Sequence, residues 1–208
     1  ILGRDAARVG WFALSCACLV ILLRWSVVAL PARRWSDRTI IVLTLVLMAK
    51  FYAHELTLGQ SNLLLGVLLV AGLGALQLDA PRLAAVSIGL AVFVKPYALI
   101  LLPWLAASYG VAAGVVGAAV IAGGLLLPVI LYGWAGNLDQ LQGWWHIVSS
   151  STAPNLLGAD NISMAAMWAK WLGPGTTAAA LATLTVGLLL AVAAATWRRR
   201  PTVSDPDS

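Results

Sequence analysis

Residues 54–62 read His54-Glu55-Leu56-Thr57-Leu58-Gly59-Gln60-Ser61-Asn62, a polar run set between two apolar segments. The chain around it is 61% hydrophobic and only 10% charged. Beside segments that apolar, every ionisable or hydrogen-bonding end has to be met by another side chain, by protein backbone or by a wet cavity. Such a cluster next to lipid-length helices marks a site, so the remaining segments are read by which side of a membrane they share with it.

A mean hydropathy of +0.91 excludes the ordinary soluble globular class and gives an all-α membrane protein, a polytopic transmembrane helical bundle. The net charge of +5 lies in short flanks of apolar segments, which is a pattern of membrane topology rather than of a phosphate-binding patch, so no nucleic-acid partner is expected. Cys16 and Cys18, two residues apart, point to nearly opposite faces of one helix and read as small buried apolar residues, with no metal site. The chain begins at Ile1 with no signal-peptide pattern, and an N-terminally truncated chain is the expectation.

Residues 9–30 form a first span, followed by the basic flank Arg33, Arg34 and Arg38. Segment 39–53 is short unless its helix continues into the polar run, where Lys50 and His54 share a face at i, i+4 spacing. Segment 61–78 returns to a short loop ending in Arg82. In 83–109, Lys95-Pro96 breaks the helix, because proline lacks an N–H and disfavours helical geometry in the residue before it. Charge asymmetry favours a hairpin of 83–95 and 96–109 over one kinked span, with arms of about 20 Å each. Segment 111–133 follows, with Gly110 and Gly114 at small-residue packing spacing. Residues 134–175 read as an outer loop holding five of the ten tryptophans. Inside it, Met164, Met167, Trp168 and Trp171 line one face of a short interfacial helix, with Asn161 as its cap and Gly173-Pro174 as its stop. Segment 176–197 closes a transmembrane domain over 1–197 of about seven membrane segments. A cytoplasmic basic flank and tail, 198–208, ends the chain.

On that topology the polar run, Lys95 and the 134–175 loop all reach the outer side. His54 and Glu55 are candidates for substrate contact, with an interfacial helix end as the alternative. Gln60 and Asn62 offer neutral donors and acceptors for sugar hydroxyls or a phosphate ester, with an interhelical hydrogen bond as the alternative. An ammonium at membrane depth needs an anion, and for Lys95 this is a lipid-linked phosphate or, alternatively, Glu55 or a snorkelled position. Asp139, His146 and Asp160 are weighed as solvated loop residues. The sequence contains no Walker loop, dinucleotide fingerprint, zinc spacing or nucleophile elbow, which disfavours a nucleotide-fuelled pump.

The run Leu58-Gly59-Gln60-Ser61-Asn62-Leu63-Leu64-Leu65, followed by Gly89-Leu90-Ala91-Val92-Phe93-Val94-Lys95-Pro96, resembles the "GQxN … G-L-A-x-x-x-K-P" pattern of the bacterial family 87 glycosyltransferases. Asn161-Ile162-Ser163-Met164 is similar to that family's Asn-Gln-Ser-Leu element, with isoleucine in place of glutamine. The similarity runs from about residue 40 to residue 197. It implies a GT-C-type enzyme of the bacterial inner (plasma) membrane, with a cytoplasmic C-terminus and an active site on the outer face. It further implies transfer of a hexose, often mannose, from a polyprenyl-phosphate sugar to a glycan or glycolipid acceptor, with membrane lipid around it and no cofactor or metal. Lys95, Gln60, Asn62, His54, Glu55 and Asn161 are the residues this reading places at the donor and substrate site. Such enzymes carry a catalytic acid in the first outer loop. Only Asp5 and Asp37 lie near the first span, and neither matches, so the catalytic acid is expected to be absent from this chain. A lipid-linked-sugar flippase and a non-catalytic remnant are the rival readings. A flippase would show repeated discontinuous helices, and the Lys95-Pro96 break has no counterpart.

Overall fold

Helix α1 (Arg4–Val28) is built from an almost unbroken apolar run and extends about 37 Å, enough to cross a hydrocarbon core. It belongs to a computed structural model that describes residues 3–30, 34–152, 154–159 and 161–198. Arg33, Asp160, Arg199, Arg200 and the tail 201–208, all used in the sequence reading, lie outside the described residues. Every regular element among the described residues is helical. The chain divides into two compact units, Ile1–Gly133 and Trp134–Ser208.

In the first unit, α2 (Asp37–Leu47) starts at Ser36, whose hydroxyl accepts the Thr39 N–H at 3.2 Å. It gives way at Met48 to α3 (Ala49–Leu58), and the pair is bent by 67°. The helix therefore does continue into the polar run, but through a sharp break. After α3 come α4 (Asn62–Gln77) and α5 (Pro81–Val94), then a 3-10 turn (Pro96–Ile100), α6 (Leu101–Tyr109) and α7 (Val111–Leu126).

Two hydrogen bonds fix α1 against α4 in parallel. Trp11 Nε1 donates to the Gly59 carbonyl at 2.8 Å at one end, and Gln77 Nε2 donates to the Ala29 carbonyl at 2.8 Å at the other. The polypeptide between them must return along that length, which α2 and α3 accomplish. Helix α5 runs back along α4: Gly72 faces Ala84, Ser87 and Ile88, and Leu65 shares a buried cluster with Ala91 and Ala98. Lys95 has extended backbone angles (φ −145°, ψ 116°), as a residue before proline should, and the chain reverses there. Leu102 and Leu105 of α6 come to lie in one core with Ala84, Ala85 and Ile88 of α5. The break at Lys95-Pro96 is therefore a hairpin, not a kink in one long helix.

The seams of this unit are lined by small residues. A Cβ on Gly117 would meet Leu102 Cδ2 at 2.5 Å, and one on Gly89 would meet Val120 at 3.0 Å and the Gly117 carbonyl at 3.1 Å. Close backbone approach replaces the hydrophobic effect as the packing force where lipid surrounds the helices. Gly114 does pack, against Ala106, but Gly110 meets nothing within 4 Å. With φ +95°, Gly110 serves instead as the hinge between α6 and α7, which corrects the packing role expected for it.

In the second unit, α8 (Val129–Thr152) enters from the first and is broken at Gly133, where φ is +69°. Residues 134–152 were expected in a loop and are helical. The reason is legible afterwards: Trp134, Leu138, Leu141, Trp145 and Val148 recur at helical spacing. Helix α9 (Met164–Leu172) packs on α10 (Thr176–Arg198) through Ala166, Ala169, Ala178 and Ala182, all buried. Trp168 Nε1 donates to Thr185 Oγ1 at 3.1 Å across that seam. Of the face read from the sequence, Met164 and Trp171 stay exposed while Met167 and Trp168 are part-buried, and the residues buried in the seam are the alanines.

By length and apolarity alone, α1 and α10 are each able to cross a membrane, rising to four candidates if each bent pair, α2 with α3 and α7 with α8, counts as one span. Helices α4 and α5 are shorter, as is the turn-plus-α6 stretch Pro96–Tyr109. Exposed leucines such as Leu184 and Leu188, at 68% and 66%, would aggregate in water and are covered only by lipid or a partner. The chain is a helical membrane protein.

Candidate functional site

Four of the six residues singled out in the sequence converge at one end of the first unit. Helix α3 stops at Leu58 because Gly59 adopts the left-handed conformation (φ +62°), and the Gln60 N–H then bonds the Glu55 carbonyl at 3.1 Å. That turn folds the chain back, so that Asn62, the first residue of α4, reaches both flanking polar residues. Its Nδ2 donates to Glu55 Oε1 at 2.7 Å and to Gln60 Oε1 at 2.8 Å. An amide nitrogen carries two hydrogens, and both are committed. Glu55 Oε2 is buried and has no hydrogen-bond partner among the described residues. A buried carboxylate oxygen in that condition is costly unless something polar comes to it.

Lys95 reaches the same end from the other arm of the α4–α5 hairpin. Leu65 packs with Ala91, and one helical turn further towards the open end on each helix stand Asn62 and Lys95. Lys95 is half-buried, and among the described residues its ammonium makes no ion pair or hydrogen bond. The alternative of a Lys95–Glu55 pair is therefore not realised. Nor does Lys95 lie in mid-helix; it sits at the hairpin bend, where the chain is not continuous α-helix.

His54 lies one residue before Glu55 on α3 but is exposed, as is Lys50 one turn earlier. They share a face as predicted, and both are exposed where Glu55 is part-buried. Asn161 belongs to the second unit, and its amide is engaged within its own loop. Nδ2 donates to the Asn155 carbonyl at 2.9 Å, and Oδ1 accepts the Ser163 N–H at 3.0 Å. The cap of α9 is Ser163, whose hydroxyl accepts the Ala166 N–H at 3.2 Å. Asn161 shapes the entry to that cap without being it. Lys170 closes the same loop, donating to the Asn161 carbonyl at 2.8 Å and the Ala159 carbonyl at 3.2 Å. Asp139 and His146 are exposed on α8.

Sequence reasoning missed the N-terminal end of α1. The Trp11–Gly59 hydrogen bond brings Arg4, Arg8 and Trp11 beside the polar run, and the i, i+4, i+7 spacing of these three was the available signal. Among the described residues no group of His, Cys, Asp and Glu side chains is arranged to hold a metal ion.

The family model of glycosyltransferase family 87 matches residues 1–206. No curated protein and no solved structure matches the chain.

Proposed function

The chain belongs to glycosyltransferase family 87, which indicates a glycosyltransferase activity, and from that we propose the finer reading of what it transfers and how. The substrate is a polyprenyl-phosphate hexose, mannose being the foremost candidate, and the acceptor is a glycan or glycolipid at the outer face of the bacterial inner membrane. In this reading, which keeps the expected topology of about seven segments with a cytoplasmic C-terminus, the Glu55, Gln60, Asn62 and Lys95 end lies at that outer face. The chain's direction through the first unit, reversing between α1 and α2 and again at residues 59–61, 78–80, 95–100 and 110, supports it.

In the proposed reaction an acceptor hydroxyl oxygen attacks the anomeric carbon from the face opposite the phosphate. The new carbon–oxygen bond forms as the bond to the phosphate oxygen breaks, and the bonding pair leaves on polyprenyl phosphate. The hydroxyl proton passes to a base that is not assigned to any residue of this chain. Charge builds on the leaving oxygen, and an ammonium already in place beside it lowers the barrier without reorganisation. Lys95 takes that role. Gln60 and Asn62, held rigid by their shared hydrogen bonds, orient the donor headgroup, and Glu55 holds Asn62 in place from the acceptor side. His54 contributes at the acceptor side, from the exposed face of α3.

The single observation that carries this reading is the half-buried Lys95 ammonium, unpaired among the described residues, level with the Glu55–Asn62–Gln60 network. The test is Lys95→Ala in reconstituted membranes with a polyprenyl-phosphate mannose donor. Turnover is expected to fall by about 10²–10³-fold, with partial recovery in Lys95→Arg. Unchanged transfer and donor affinity in Lys95→Ala would overturn the assignment.

A further inference from the structure

We propose that the groove between the start of α1 and the end of α3 is a second anion subsite, one that seats the phosphate headgroup of an anionic membrane lipid. The groove has a volume of ≈ 670 Å³, and Arg4, Arg8, Trp11 and Phe12 form its α1 wall, with Thr57 and Leu58 opposite. Arg4 and Arg8 stand one turn apart on one face, and Trp11 and Phe12 follow one turn deeper on the same face. Charge therefore sits at the mouth, and apolar surface lies about 5–10 Å further along the helix axis. A lipid presents the same order, an anionic head followed by a hydrocarbon chain.

The wall is fixed before anything binds. The Trp11 indole is held by its hydrogen bond to the Gly59 carbonyl, and its ring packs against the Gly59 backbone. The Thr57 hydroxyl is already donated to the Ala53 carbonyl at 2.7 Å, so recognition of an anion falls to the two guanidinium groups. Asp5 lies 3.9 Å from Arg8 Nη1. Both partners are largely exposed, so that pair is weak and leaves most of the five guanidinium N–H groups of Arg8 free for a phosphate. A free phosphate ion would use the two arginines and leave Phe12 and Leu58, 53% and 55% exposed, uncovered. That difference favours the lipid. The groove is separate from Lys95: α1 and α5 each pack against α4, and the groove opens between α1 and α3.

The test is native mass spectrometry of the full chain released from nanodiscs of phosphatidylcholine doped with phosphatidylglycerol. The wild type is expected to retain phosphatidylglycerol over phosphatidylcholine. Arg4→Gln/Arg8→Gln should lower that retention by about tenfold, while Arg4→Lys/Arg8→Lys keeps most of it and Arg24→Gln, at the far end of α1, changes nothing. Unaltered helical circular dichroism shows that the glutamine variant is folded, which is expected of substitutions at exposed positions. Equal retention by wild type and the glutamine variant overturns the proposal, and so does equal retention of phosphatidylcholine. Displacement of the lipid by millimolar inorganic phosphate overturns the lipid as occupant. Lys95→Ala should retain phosphatidylglycerol as the wild type does, which separates this subsite from the donor site.

Discussion

Asn62 ties the site together, because its two amide hydrogens are the link between Glu55 and Gln60. Asn62→Ala leaves Glu55 Oε1 without its donor in a part-buried position. The expected cost is about 1–3 kcal/mol, read as a lower melting midpoint in detergent together with weaker donor binding. Asn62→Asp, which replaces the donating amide by a second carboxylate beside Glu55, should be at least as damaging. Gly59 is required for a different reason. At φ +62° a side chain is disfavoured, and a Cβ there would stand 3.3 Å from Trp11 Cδ1. Gly59→Val is expected to cost about 1–2 kcal/mol and to disturb the Trp11 hydrogen bond, seen as a change in tryptophan fluorescence alongside the loss of stability. Identity at these positions could be read from the sequence: a Gly-Gln-x-Asn run beside apolar helices announces a turn and a polar network. Who bonds whom could not, because any two of the three polar residues in that run form a plausible pair until the turn at Gly59 fixes the path.

At the scale of elements, the helices of the first unit are held by seams of small residues rather than by amphipathic stripes. Gly117 lies where α5, α6 and α7 meet, and Gly123 of the same helix faces open space. Gly117→Leu should therefore overpack the seam and cost about 1–3 kcal/mol, whereas Gly123→Leu should leave the melting midpoint nearly unchanged. Equal effects at both positions would refute the packing of α7 described above. The same contrast explains why Gly110 and Gly114, alike by spacing, differ in role: one ends α6 with a positive φ, the other meets Ala106. Spacing places two glycines on one face, but only the course of the neighbouring helix decides which of them is packed. Helix α9 shows the same limit. Its existence and length follow from periodicity. Which residues are buried against α10 does not follow from it: they are alanines, whose small surfaces let the axes of α9 and α10 approach closely, with Trp168 bonding across the seam and Met164 and Trp171 left outside.

At the scale of the molecule, topology is the quantity to measure. With Cys16 and Cys18 replaced by alanine, Thr57→Cys lies on α3 just before the turn into α4, and Leu78→Cys just past the other end of α4. A membrane-impermeant maleimide should label the first in intact cells and the second only after permeabilisation. Labelling of both from one side would refute the alternating path of the first unit across the bilayer. Chain direction, and not helix length, supports this expectation, since α4 and α5 are each shorter than a full span and only their antiparallel packing assigns them opposite directions.

The sequence by itself determined that this protein is helical and membrane-bound and that the chain breaks at Lys95-Pro96, and it singled out residues 54–62 and Lys95 as the candidate site. Those conclusions follow from properties each residue has wherever it is placed: apolarity, charge, and the absent N–H of proline. Charge asymmetry favoured a hairpin at that break and the tertiary structure bears it out; the tertiary structure alone decided that Lys95 stands level with Asn62 without pairing to Glu55, and that Arg4 and Arg8 flank the polar run. These are relations between segments distant in sequence, fixed by the Trp11–Gly59 and Gln77–Ala29 hydrogen bonds and by the glycine and alanine seams. A pattern of one dimension does not encode which helix lies beside which, because in lipid every apolar face is equally satisfied until backbones come close enough to choose.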